Sequence, residues 1–199
     1  MTFFATLLIG LEFAVYTGVL VSLAVFLNGT MQTDLPLNAP NPKIPNHGFT
    51  NVSEGVPECP QLVFGRIDGP VYFGSVDTLR KELIKILAER STQKAFVLKI
   101  SGVGRVDYAG AELLIEEAER RLNHGGRLYL VGRYKPLYKV LKQYQVVDQI
   151  GEENFFSYRS EAISNIVPKL DQTVCRTCSK RIFRECMQGP NEGLTSTPS

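Results

Sequence analysis

Between residues 61 and 170, short apolar runs alternate with stretches whose apolar residues recur at helical spacing. No other feature restricts the fold as strongly, because strands interleaved with helices of this length require an α/β layer structure. Ala95–Ile100 and Leu128–Val131 are compact apolar runs, as in strands buried on both faces. Leu62–Ile67 and Val71–Phe73 flank Asp68-Gly-Pro, a turn signal, and read as a strand pair. Ser75 then offers an N-cap with Asp77 in the first turn. After it, Val76, Leu79, Leu83 and Leu87 share one helical face while Arg80, Lys81, Lys85 and Glu89 point outward. The next helix sets Ala111, Leu114, Ala118 and Leu122 inward and ends at His124-Gly-Gly126. Pro136 suits the first turn of a helix carrying Leu137, Val140, Leu141 and Tyr144. A last helix near 160–170 uses Ile163, Ile166, Val167 and Leu170. The expected domain is a partly parallel β-sheet of about four to five strands packed with about four helices.

The segment from Ile100 to Glu112 connects the strand Ala95–Ile100 to the helix after it. Asp107 falls where that helix must begin. A carboxylate there accepts hydrogen bonds from free helix N–H groups and suits the positive end of the helix dipole. The bland reading is a tight β-to-helix connection, with Gly102, Gly104 and Gly110 placed for backbone reasons.

Upstream, Phe3 to Leu27 contains a single charged residue, Glu12. Twenty-five helical residues reach about 37 Å, against a hydrocarbon core of about 30 Å. A signal peptide fits poorly, since there is no basic flank and the run is too long. Residues 1–27 are expected to form one transmembrane helix, with a buried core helix as the alternative. Gly10, Ala14, Gly18 and Ser22 recur every four residues and make a seam of small side chains for helix packing. Glu12 is expected to face protein or a water-filled path, since lipid exposure would cost a few kcal/mol. A lone span with such a seam implies further helices, so the chain reads as one end of something larger.

Residues 28–60 hold Pro36, Pro40, Pro42, Pro45, Pro57 and Pro60 among several glycines, a composition read as a mostly irregular linker. The sequons at Asn28 and Asn51 are read as chance matches. A formal net charge of +2 argues for no polyanionic partner, nucleic acid included. Residues 171–199 form a cysteine-containing tail with a disordered end after Gln188. Cys175, Cys178, Ile182 and Cys186 are spaced by three, four and four, one face of a helix, so packing on the domain is the plain account. A thiolate metal or iron–sulfur site is the sharper one, with Cys59 a candidate fourth ligand, and a redox pair is the third. No metal and no cofactor is assigned. Nor is any catalytic residue, because no nucleophile–base constellation or phosphate-binding glycine loop occurs and His47 and His124 sit in loop-like contexts.

About Val56 to Leu170 resembles a STAS domain of the SulP type. The matching pieces are Arg66-Ile-Asp-Gly-Pro-Val-Tyr-Phe-Gly74, Val97-Leu-Lys-Ile100 before the Asp107 loop, and Leu128-Tyr-Leu-Val131. The apolar run, with Thr6, Leu11-Glu12-Phe13 and Gly18-Val-Leu-Val-Ser22, is similar to the last membrane helix of a SulP transporter. The resemblance implies a STAS domain over 61–170, cytoplasmic and regulatory, behind the last span of a secondary transporter of sulfate-like anions in the inner or plasma membrane. It implies as partners the remaining transmembrane helices or a second copy, a cytoplasmic protein, and the lipid bilayer. One helix cannot form an alternating-access pathway, so the chain alone is not expected to transport. Asp107, Tyr108, Ala109 and Gly110 are implied as the partner-facing loop. Soluble STAS switches carry Asp-Ser-Ser-Gly there and phosphorylate the Ser before Gly, a position held here by Ala109. The alternative is a membrane-tethered signalling module of the anti-sigma-factor antagonist type.

Overall fold

The computed structural model describes residues 11–30, 34–41, 44, 48–132 and 135–186. Helix α1, Leu11–Thr30, comes first. A mixed six-stranded sheet follows, from β1 (Leu37–Pro40), β2 (Phe49–Asn51), β3 (Leu62–Arg66), β4 (Ala95–Lys99), β5 (Arg127–Val131) and β6 (Phe155–Phe156), in spatial order β2-β1-β3-β4-β5-β6. β1 runs antiparallel to β2 and β3, whereas β3 to β6 are parallel to one another. The remaining helices are α2 (Phe73–Glu89), α3 (Tyr108–Asn123), α4 (Lys135–Gln143), α5 (Val146–Ile150), α6 (Arg159–Ile166) and α7 (Gln172–Thr177).

Side chains alternate across a strand, and here both sides of the sheet are apolar. Val63, Phe96, Leu98, Leu128 and Leu130 cluster with Leu79 and Leu83 of α2, Leu113 and Leu114 of α3, and Leu141 of α4. Leu62, Phe64, Val97, Tyr129 and Val131 form a second cluster with Ile163 and Ile166 of α6 and with Ile182 and Phe183 of the tail. The α/β class and its partly parallel sheet agree with the sequence reading.

Several details differ. The expected strand pair around Asp68-Gly-Pro does not form: Val71 makes only an isolated parallel bridge with Val106, and Phe73 opens α2. Ser75 is therefore at the third helical position instead of the cap. Fully buried, it accepts from the Tyr72 N–H at 3.2 Å and donates to the Pro70 carbonyl at 3.0 Å. The segment read as an irregular linker supplies β1 and β2. Pro36 lies just before β1 and Pro40 is its last residue, positions where a missing N–H disturbs the ladder least. On α3 the inward face runs through Leu113, Leu114, Glu117 and Arg121, while Leu122, expected inside, is 61% exposed. A buried ion pair causes this shift. Arg121 Nε donates to Glu117 Oε1 at 2.6 Å, and its guanidinium stacks 4.2 Å above the Phe96 ring.

Among the described residues no helix is long and apolar enough to cross a membrane. The start of the apolar run, with Gly10 of the seam, lies outside those residues. On α1, Ala14 is buried, Gly18 half-buried, and Glu12 and Ser22 exposed. The tail after 186 and His47 also lie outside the described residues, and His124 caps the end of α3.

The packed tail makes a prediction about stability. Phe183 is 4% exposed and meets the Phe64 ring with centroids 5.9 Å apart. Phe183→Ala should lower the free energy of unfolding by about 3 kcal/mol in denaturant titration of the full chain, and a change within error would show that the tail does not pack as described.

Candidate functional site

The Asp107 loop owes its shape to a single carboxylate that serves two helices. Asp107 has extended backbone angles and is the N-cap of α3, its Oδ1 accepting from the Gly110 N–H at 2.9 Å. Its other oxygen, Oδ2, accepts from the Phe73 N–H at 2.9 Å, in the first turn of α2. One anion thus satisfies orphan donors at two positive helix ends. The backbone strengthens the junction: the Val71 N–H donates to the Arg105 carbonyl at 2.9 Å, and the Asp107 N–H donates to the Val71 carbonyl at 3.3 Å.

Gly110 is buried against that same carbonyl. A Cβ there would approach the Val71 oxygen to 2.3 Å, so close helix-to-loop packing requires glycine at this position. Ala109 is half-buried, its methyl against the main core. Tyr108 is 65% exposed and meets the Tyr144 ring edge-on at 6.0 Å. Phe73 is 81% exposed. Sequence reasoning missed Phe73, having placed it in a strand. Its position at a helix start became visible only through the Asp107 contact from 34 residues away.

The four loop residues named from the sequence therefore do stand together, in two roles. Asp107 and Gly110 build the junction, while Tyr108 and the unforeseen Phe73 are presented from it. Two broad hollows among the described residues, of about 780 Å³ and 610 Å³, are lined by residues elsewhere and include none of the loop. The junction offers exposed rings on rigid helix starts, an arrangement suited to a protein partner.

The tail cysteines do not share one helical face, because α7 ends at Thr177 and Cys178 is its C-cap in extended conformation. Gln61 fastens this region: its Oε1 accepts from the Asp171 N–H at 2.9 Å and its Nε2 donates to the Asp171 carbonyl at 3.0 Å. Burial pushes the thiols of Cys59, Cys175 and Cys186 up, away from the reactive thiolate form.

A model of the STAS domain family matches residues 52–162. The putative sulfate transporter YvdB of Bacillus subtilis (strain 168) is 25% identical over 161 residues, covering 80% of this chain and 28% of that protein. The murine Solute Carrier 26 family member A9 anion transporter, in the inward-facing state, shares the fold with a TM-score of 0.68 at 20% identity, over 82% of this chain and 27% of that one. Another SLC26A9 structure also gives 0.68, at 16% identity, over 87% of this chain and 30% of the other. The chain thus spans less than a third of the length of these relatives.

Two predictions arise from the junction. Gly110→Ala should destabilise the chain by about 1–3 kcal/mol in thermal or denaturant unfolding, and an unchanged midpoint would contradict the close approach to Val71. Intact-mass analysis of chain isolated from cells should show no stoichiometric phosphate on residues 101–110, and phosphate on Tyr108 or Ser101 would be the contrary result. With its sheet order, its bridged helix starts and its family match, the chain belongs to the STAS domain family.

Proposed function

We propose that the chain is the regulatory and docking STAS portion, with the last membrane span, of a SulP-type secondary transporter of sulfate-like anions. In this reading the domain is cytoplasmic, lies beside the inner or plasma membrane, and is not transport-competent alone. The observation that carries the reading is the reach of the transporter likeness. Residues 52–199 make up under three quarters of the chain, so a match covering 80% of it reaches at least back to β1, ahead of the residues matched by the family model. α1 is consistent with this, since Phe13, Val19, Leu20, Leu23, Val25 and Phe26 are each half or more exposed and need lipid or further helices to cover them.

Phe73 and Tyr108 are the residues that meet the partner. Asp107 and Gly110 hold them in place without taking part in contact. A serine phosphoswitch is disfavoured because the acceptor position is a half-buried alanine methyl. A phosphate at this helix start would have been electrostatically welcome, so what the site lacks is the hydroxyl and not the field. That weighs against the membrane-tethered signalling alternative.

Uptake of labelled sulfate by cells that produce the chain joined to the remaining transporter helices provides the test, comparing wild type with Phe73→Ala/Tyr108→Ala at equal membrane abundance. Both side chains are exposed, so the fold should survive their truncation. The rate should fall severalfold. Uptake unaffected by the double substitution, or a chain fully released from membranes by alkaline extraction, would reject the proposal.

A further inference from the structure

All four cysteines of the chain line one small cavity, although they come from segments more than a hundred residues apart in sequence. Cys59 precedes β3, Cys175 lies in α7, Cys178 caps that helix, and Cys186 closes the last described turn. Cys59 is buried and the other three are half-buried, and all four are free thiols. The cavity measures about 20 Å³. That is room for a single ion or water and not for an iron–sulfur cluster.

Burial holds the Cys59, Cys175 and Cys186 thiols protonated in the free chain, and hydrogen-bond donors at the sulfurs offset part of that cost. The backbone N–H groups of Gln61 and Leu62 face the Cys59 sulfur, and the Phe183 N–H faces that of Cys186. Gln61 Nε2 lies 3.3 Å from Cys175 Sγ as a donor. Such N–H···S contacts orient and tune metal-bound thiolates. Arg181 lines the same cavity and holds a positive φ of 34°, an uncommon conformation for a residue with a side chain.

We infer that Cys59, Cys175, Cys178 and Cys186 form a binding site for one thiophilic divalent cation of the zinc type, which fastens the tail to the second face of the sheet. Four thiols lose four protons as the cation binds, leaving a tetrahedral site of net charge −2. Among the described residues no group of three or more His, Cys, Asp or Glu side chains stands placed to hold a metal ion. Binding therefore draws the half-buried tail thiols inward, until each sulfur is about 2.3 Å from the ion. The CxxC spacing of Cys175 and Cys178 supplies the flexible pair, and buried Cys59 the fixed anchor.

The full chain, purified in detergent under reducing, anaerobic conditions, is loaded with Zn²⁺ alone and washed with a weak chelator. It should retain about one zinc per chain, release protons on loading, and lose thiol alkylation at all four cysteines. Cys178→Ser and Cys186→Ser, chosen because both side chains are half-buried, should each weaken retention at least about tenfold while circular dichroism stays unchanged. Zinc far below one equivalent would overturn the inference. So would retention indifferent to these two substitutions, or a Cys175–Cys178 disulfide as the state of the chain in reducing cells.

Discussion

The Asp107 carboxylate connects the first turns of α2 and α3, and the geometry of the candidate surface depends on that connection. Each oxygen takes one backbone N–H at 2.9 Å, one from Gly110 and one from Phe73. Bonds donated to a charged acceptor contribute about 1.5–3 kcal/mol each, large against the marginal stability of a domain. Glycine at 110 then permits the approach to the Val71 carbonyl that makes both bonds possible. Exposed Phe73 and Tyr108 are set relative to each other by this one anion.

The sequence was most legible where periodicity was strong and local. β3, β4 and β5 are short apolar runs, and α2, α3 and α4 carry long apolar faces, so their existence and order could be read directly. β1, β2 and β6 span only four, three and two residues, too short to show alternation, and their pairing is set by distant partners. Asp68-Gly-Pro signalled a turn correctly, but the chain after it enters a helix. The inward face of α3 was misplaced because Glu117 and Arg121, ordinarily surface residues, are buried as a pair, with Arg121 stacked on Phe96. At the candidate site, Asp107 and Gly110 declared themselves by residue type and position. Phe73 did not, because only a tertiary hydrogen bond puts it there.

The two faces of the sheet divide the work. One face packs α2 to α5 and through them holds the Asp107 junction. The other is closed by α6 and by the tail, whose Ile182 and Phe183 join Phe64 and Val97. Gln61, at the start of β3, links strand to tail through two hydrogen bonds to Asp171 and one to Cys175. The sheet of the domain is thus closed on both faces by apolar clusters.

Hydrogen exchange at the Phe73 and Gly110 amides, compared between wild type and Asp107→Ala, tests the central claim most directly. Both amides should be protected in the wild type and lose protection together in the variant, with the strand amides of β4 unchanged. Continued protection of Phe73 when Gly110 is released would show that the two helix starts are not bound by one carboxylate.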